Sequence, residues 1–102
     1  MDVGAADLVE GQMRGVDVDD ERVLIVRTGG RLCAIGGTCT HQVAFLEDGE
    51  LRGTTVTCPR HGAGFDLLTG EPLSAPAEFP VPVYDVCIQA GRLLVSRTPR
   101  GR

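Results

Sequence analysis

The sequence predicts an all-β protein, and three observations lead to this fold class. Apolar and polar residues alternate in short runs, as they do in strands that bury one face. Turn-forming residues separate these runs, since the 102 residues include 14 glycines and 6 prolines. Helical character is confined to residues 5–10, which predict one short turn at most. A length of about 100 residues suits one domain, so we expect residues 1–102 to fold as a single unit.

The N-terminal half predicts a β meander. Its strands are expected at residues 16–18, 23–26 and 31–35. A turn at Asp19, Asp20 and Glu21 joins the first two strands, and Gly29 and Gly30 join the second strand to the third. Paired glycines suit this second hairpin because glycine tolerates the positive φ of a tight turn.

The C-terminal half predicts further strands and a final hairpin. We expect strands at residues 50–51, 54–57, 81–88 and 93–95, with turns at 48–49 and 90–91. Pro82 has no N–H group to donate to a neighbouring strand, so the strand that contains it should begin at a sheet edge. Residues 97–102 are rich in arginine and are expected to form a loosely ordered end.

The charge of the chain excludes one class of partner. Lysine and arginine number 10 and acidic residues 14, giving a formal net charge of -4 and an isoelectric point of about 5.0. This balance argues against sequence-independent nucleic-acid binding, which needs clustered basic residues, and favours partners with basic faces. No apolar run approaches the roughly 20 residues that cross a bilayer, and no basic targeting segment opens the chain. We therefore expect no membrane contact and a cytoplasmic location.

Large side chains for the core are scarce. The chain has three phenylalanines, one tyrosine and no tryptophan. A small domain with so modest a core often depends on a disulfide or a bound metal for stability. The four cysteines and two histidines are therefore the first candidates for a functional site.

Cysteine and histidine recur at close spacing in two short segments. Cys39 and His41 form the first pair, and Cys58 and His61 form the second. Together they supply a Cys2His2 ligand set. A structural zinc ion is one alternative, although zinc sites usually pair cysteine with cysteine and histidine with histidine. Mixed pairs are typical of a 2Fe-2S cluster in which two cysteines hold one iron and two histidines hold the other.

The segments around these pairs resemble those of Rieske proteins. Residues 58–66 are similar to the second Rieske ligand loop, residues 69–72 to the turn that follows it, and Pro76 to a proline loop over the cluster. Further matches are Leu46, Asp48, Gly49, Leu51 and Gly53 in the connecting hairpin. The resemblance implies an antiparallel β sandwich or barrel base with an inserted cluster-binding subdomain, at about residues 37–78, made of two ligand loops.

By this resemblance, the chain binds one Rieske-type 2Fe-2S cluster. Cys39 and Cys58 are then the ligands of the inner iron, and His41 and His61 those of the outer, more exposed iron.

The differences from high-potential Rieske proteins indicate a low-potential member. Arg60 stands where those proteins have a cysteine, and residues 42–44 contain none, so the usual disulfide between the loops cannot form. Ala63 and Phe65 replace a serine and a tyrosine whose hydroxyl groups donate to sulfur. Loss of those donors disfavours the reduced, more negative cluster.

The resemblance implies a ferredoxin rather than an enzyme. Such a protein carries single electrons from a flavin-dependent reductase to a terminal oxygenase, commonly a ring-hydroxylating one, through transient contacts near His41 and His61. An oxygenase also needs a mononuclear iron held by two further histidines and a carboxylate, but both histidines of this chain belong to the cluster motif. We expect a monomer. A small subunit of a nitrite-reductase-like complex is the alternative.

Other residues near the motif have two interpretations each. Val43 and Phe45 either cover the cluster or form an apolar rim for docking. Arg60 either steers a partner or is a solvated loop residue. Cys33 and Cys87 lie on expected strands, where we predict reduced, partly buried thiols. A redox switch or a disulfide is the alternative for these two.

Overall fold

The structure is a computed structural model that describes residues 1–39, 44–60, 62–73 and 79–100. Strands dominate these ranges, with one short 3-10 helix at Leu46–Asp48. The strands are β1 (Asp2–Ala5), β2 (Met13–Val18), β3 (Glu21–Thr28), β4 (Arg31–Gly36), β5 (Glu50–Arg52), β6 (Thr55–Thr57), β7 (Gly64–Asp66), β8 (Val83–Tyr84), β9 (Val86–Gln89) and β10 (Arg92–Val95). In the described part of the chain, no helix has the length and apolar character needed to cross a membrane.

Three antiparallel sheets build the fold in the described ranges, which confirms the all-β prediction. The largest has four strands in the order β2-β3-β4-β8. A second sheet joins the two ends of the chain in the order β1-β10-β9, and a third, β5-β6-β7, comes from the segment between β4 and β8. The chain therefore leaves the four-stranded sheet after β4, builds the third sheet, and returns to the same sheet as β8.

The four-stranded sheet is buried on both faces. Successive side chains of a strand point to opposite faces, so β3 contributes to two separate clusters. Val23 and Ile25 pack with Leu93 and Val95 of the β1-β10-β9 sheet. Leu24 and Val26 pack on the other face with buried residues of the third sheet, notably Val56 and Phe65. This second cluster is the one that contains Cys39 and Cys58.

The predicted tight turns are confirmed. Gly29 and Gly30 have φ of 62° and 75°, and Ala90 and Gly91 have φ of 52° and 74°. Two successive positive φ values characterise the turn that suits the right-handed twist of a hairpin. Pro82 comes just before β8, an edge strand, as its missing N–H group predicts.

No helix forms at residues 5–10, where the sequence predicts one short helical turn at most. Ala5 ends β1, and the Ala6 N–H group donates to the Gly91 carbonyl at 2.9 Å. Leu8 is buried in the cluster between the four-stranded sheet and the β1-β10-β9 sheet. Pairing of β1 with β10 and burial of Leu8 fix the chain in this segment, and this tertiary context overrides the weak local preference for helix.

The single strand predicted at residues 81–88 is two strands in different sheets. Tyr84 in β8 pairs with Ala34, whereas Val86 in β9 pairs with Val95. Asp85 lies between them, and its N–H group donates to the Ser96 side chain at 3.1 Å. The chain changes sheets at this residue, which an uninterrupted apolar pattern does not reveal.

Glu10 clamps the β3–β4 turn and makes stability depend on pH. Its carboxylate accepts the N–H groups of Gly29 and Gly30 at 2.7 and 3.0 Å, and these bonds lower the pKa of Glu10. A carboxyl group whose pKa is lower in the folded protein than in the unfolded chain stabilises the fold at pH values above its unfolded-state pKa. This stabilisation is lost as the pH falls through the folded-state pKa. As the pH is lowered below about 4.5, we expect the melting temperature of Glu10→Gln to decrease less than that of the parent.

Thermal unfolding between neutral and acidic pH measures this difference. Asp20→Asn, an exposed change in the β2–β3 turn, is the control and should follow the parent. Parallel curves for Glu10→Gln and the parent would show that the clamp contributes nothing.

Candidate metal centre

The first ligand loop begins at Cys39, shortly after β4, and is closed at its base by backbone contacts. The Cys39 N–H group donates to the Ala44 carbonyl at 2.9 Å, and the Leu46 N–H group donates to the Gly37 carbonyl at 2.8 Å. Between these bonds, Thr38 forms an isolated β-bridge with Phe45. The chain therefore returns beside its own entry point, just after the end of β4.

The second loop connects β6 to β7 and is closed in the same way. The Cys58 N–H group donates to the Ala63 carbonyl at 2.8 Å, and the Gly62 N–H group donates to the Cys58 carbonyl at 3.0 Å. Gly62 has a φ of 69°, which a residue with a side chain rarely adopts. In both loops a cysteine opens the turn and bonds an alanine at its far end. Cys39 and Cys58 thus occupy equivalent positions.

Both cysteines are withdrawn from solvent. Cys39 is 5% exposed and Cys58 is 2% exposed, and they belong to one apolar cluster with the fully buried Leu46, Ala63 and Phe65. Removal of water protects a metal–thiolate bond and makes the site sensitive to the groups around sulfur. Two buried cysteines supply soft sulfur ligands, which suit an iron–sulfur cluster and not a cation that prefers oxygen.

The predicted ligand set is only partly visible. The structure brings Cys39 and Cys58 into one cluster, whereas His41 and His61 lie outside the described residues, as do Val43 and Pro76. The described part of the chain therefore contains no group of three or more histidine, cysteine or acidic side chains able to hold a metal. The assignment of all four ligands remains a prediction.

A cleft lies between the two loops. It is lined by Ala44, Phe45 and Asp48 from the first loop and the helix after it, and by Pro59 and Arg60 from the second loop. Phe45 is 43% exposed, and Arg60 is also exposed. An aromatic ring and a cationic side chain therefore stand at the opening between the two cysteine-bearing loops.

One contact between the four-stranded sheet and the first loop has no signal in the sequence. Arg22, at the start of β3, bonds the carboxylate of Glu47 in the 3-10 helix through two nitrogens. The guanidinium also stacks over the Phe45 ring, at 4.7 Å from its centroid. Arg22 and Glu47 are 25 residues apart, and no local pattern pairs them.

The two remaining cysteines differ from each other. Cys33 is buried in the same apolar cluster as Cys39, and burial raises the pKa of its thiol. Cys87 is exposed on β9, so the prediction of partial burial is wrong for it. β9 is an edge strand of its sheet. Neither of these two described residues is in a disulfide.

Comparison with known proteins identifies the family. The Rieske [2Fe-2S] domain family matches residues 1–85. Ferredoxin CarAc of Metapseudomonas resinovorans is 36% identical over 93 residues, which cover 90% of this chain and 87% of that protein. The ferredoxin component of the naphthalene 1,2-dioxygenase system of Pseudomonas putida is 33% identical, over 91% of this chain and 89% of its own.

Solved structures agree in fold. A chain in the complex of reduced oxygenase and oxidized ferredoxin in carbazole 1,9a-dioxygenase has a TM-score of 0.92, with 34% identity, over 100% of this chain and 96% of that chain. The ferredoxin of carbazole 1,9a-dioxygenase from Nocardioides aromaticivorans IC177 has a TM-score of 0.88, with 34% identity, over 98% of this chain and 97% of its own. The paired cysteine loops, their common buried cluster and these matches lead to one conclusion: the chain belongs to the Rieske [2Fe-2S] family, and its cofactor is a 2Fe-2S cluster.

Proposed function

We propose that this protein is a low-potential ferredoxin that carries single electrons from a flavin-dependent reductase to a terminal, ring-hydroxylating oxygenase. Its relatives are ferredoxin components, electron carriers rather than catalysts, and this chain is an electron carrier of the same kind. The observation that carries the proposal is the pair of equivalent cysteine loops, which bury Cys39 and Cys58 in one cluster and leave the cleft between them open to a partner.

The ligands in this proposal are Cys39, His41, Cys58 and His61. When bound, the 2Fe-2S cluster accepts and releases one electron at a time. The polypeptide provides the environment of the cluster. Cys39 and Cys58 are withdrawn from water, and the hydrogen bond from the N–H group of each cysteine to an alanine carbonyl closes the base of its loop.

The partner surface is the cleft between the loops. Phe45 supplies an apolar contact, and Arg60 supplies a positive charge that suits an acidic group of the partner at the cleft. The net charge of -4 favours basic residues elsewhere on the faces of both partners. A small contact of this kind suits rapid dissociation between successive transfers. A ferredoxin in complex with its oxygenase is known for carbazole 1,9a-dioxygenase, which supports the oxygenase partner.

We propose a monomer in the cytoplasm, where Cys33 and Cys87 stay reduced. The alternative, a small subunit of a nitrite-reductase-like complex, is not favoured by the relatives, which are oxygenase ferredoxins. Size-exclusion chromatography of the coloured holoprotein separates the two. A monomer supports the carrier, and a colourless protein that purifies only with a large subunit supports the alternative.

Stopped-flow oxidation of the reduced protein tests the carrier function. The oxygenase components of carbazole and naphthalene dioxygenase systems, each with its own reductase, serve as probes. We expect this chain to be reduced by a reductase and reoxidised by at least one oxygenase within its turnover time. Failure with every pair, under conditions where the native ferredoxins work, would contradict the proposal.

Ala63→Ser is expected to raise the midpoint potential by tens of millivolts. Ala63 is fully buried beside Cys58, at the position where high-potential Rieske proteins have a serine. A hydroxyl donor to sulfur stabilises the reduced cluster. We expect the midpoint potential of the parent to lie toward the negative end of the roughly -150 to +300 mV Rieske range. Protein-film voltammetry measures this potential and its upward shift in Ala63→Ser.

Ala6→Ser, in the segment after β1, is the control and should leave the potential unchanged. A parent potential near the positive end of that range, or no response to Ala63→Ser, would contradict the low-potential assignment.

A further inference from the structure

The Arg22 side chain joins three parts of the molecule. Its Nε donates to Glu47 Oε1 at 3.3 Å and a terminal nitrogen bonds Glu47 Oε2, while the other terminal nitrogen bonds Asp17 at 3.2 Å. The same guanidinium lies over the Phe45 ring. The Arg22 and Glu47 side chains are 25% and 17% exposed. An ordinary surface ion pair contributes little, but a bidentate, stacked and mostly buried pair fixes the orientation of both partners.

The backbone of Arg22 is tied to the same loop. Its carbonyl accepts the Gly37 N–H group at 2.8 Å, and the Gly37 carbonyl accepts the Leu46 N–H group at 2.8 Å. Gly37 precedes Cys39, and Leu46 opens the 3-10 helix after the loop. Arg22 therefore contacts the first ligand loop at its entrance by its backbone and at its exit by its side chain.

Gly15 makes room for this contact. It lies on β2 opposite Leu24, and a Cβ atom there would overlap the Glu47 carboxylate. The three atoms nearest to this Cβ position all belong to the end of the flexible Glu47 side chain. A methyl group at residue 15 would therefore displace the carboxylate from Arg22 without removing a charge.

We propose that Arg22, held by Glu47 in the space left by Gly15, is a positioning residue that fixes Phe45 and holds the first ligand loop in its cluster-binding geometry. The inference rests on the proposed cluster ligands, but not on the identity of the reductase or oxygenase. Arg22 acts through the loop and does not touch the reacting atoms.

The test uses the holoprotein and compares variants that disturb this contact in different ways. Arg22→Gln removes the guanidinium, Gly15→Ala displaces Glu47, and Arg22→Lys keeps the charge without the planar fork. The matched control is Arg52→Gln. It breaks another Arg–Glu pair, Arg52–Glu50 on β5, within the cluster-binding subdomain. That pair is 2.8 Å long, but its side chains are 79% and 63% exposed.

The main readout is the rate at which cluster absorbance is lost to an iron chelator, well below the melting temperature. We expect Arg22→Gln and Gly15→Ala to lose the cluster about tenfold faster than the parent, as is typical when a residue that supports a metal ligand is removed. Arg22→Lys should not restore the parent rate, and Arg52→Gln should match it. The reduced electron paramagnetic resonance spectrum should broaden in the fast-releasing variants only.

The double variant Gly15→Ala with Arg22→Gln distinguishes a shared contact from two separate effects. If both changes act through the Arg22–Glu47 pair, the double variant releases iron no faster than the faster single variant. If Arg22→Gln does not fold, Gly15→Ala decides the question alone. A lowered melting temperature with parental release rate and spectrum would overturn the proposal, as would an equal effect of Arg52→Gln. Failed transfer to every oxygenase would refute the proposed function and leave this result unaffected.

Discussion

Cys58→Ser should yield a colourless protein without the 2Fe-2S cluster. Cys58 is 2% exposed and opens the second loop, where its thiolate is a soft ligand for iron that a serine hydroxyl does not replace. Loss of one ligand also removes free energy that stabilises the loops, because metal binding and local folding are coupled. Iron and sulfide analysis and the visible absorption spectrum measure the outcome.

Cys33→Ser is the matched control for this change. Cys33 is buried in the same apolar cluster but lies on β4, outside both loops. We expect this variant to be less stable than the parent and to keep its colour and iron. Full cluster content in Cys58→Ser, or its loss in Cys33→Ser, would place the metal site elsewhere.

Amide hydrogen exchange on the colourless variant should show where the cluster stabilises the fold. We expect faster exchange in β5, β6 and β7, which the second loop interrupts, and continued protection in β3 at the centre of the four-stranded sheet. Uniform loss of protection would mean that the four-stranded sheet cannot fold without the cluster.

Gly49→Ala should destabilise the protein strongly, by about 3 kcal/mol, and reduce cluster incorporation. Gly49 ends the 3-10 helix, with its N–H group donating to the Leu46 carbonyl at 3.0 Å. A Cβ atom there would overlap the backbone carbonyl of Thr57 on β6. This carbonyl cannot rotate away, so β6 must move, and Cys58 follows directly after Thr57.

Gly53→Ala separates this clash from the ordinary cost of replacing a glycine. Gly53 lies in the turn between β5 and β6 of the same sheet, where its φ is 59° but a Cβ atom would meet open space. Backbone strain alone should cost about 1 kcal/mol there and leave the cluster in place. Denaturant unfolding and iron content measure both variants. Similar results for the two would show that β6 tolerates the added methyl group.

Local signals account for the parts of the fold that the sequence predicts well. Gly29, Gly30 and Gly91 mark hairpins whose turns need positive φ, and the strands beside them follow from alternation. The errors arise where distant segments decide the outcome. β1 forms because β10 lies beside it, and the chain changes sheets at Asp85 because two different partners pair with its neighbours.

At the candidate site too, local signals are readable in the sequence and contacts between distant segments are not. Cys39 and Cys58 stand out because ligand chemistry imposes a short spacing between cysteine and histidine. Arg22 and Glu47 do not, since their contact joins segments far apart in the sequence. Gly15 is also missed, because only the packed structure shows which side chain occupies the space beside it.

Electron paramagnetic resonance of the dithionite-reduced protein tests the central claim, that Cys39, Cys58, His41 and His61 share one 2Fe-2S cluster. We expect an average g value below that of clusters with four cysteine ligands, together with hyperfine coupling to two imidazole nitrogens. A spectrum typical of four-cysteine ligation, with no nitrogen coupling, would contradict the assignment. A silent spectrum from protein that contains zinc and no iron would also contradict it.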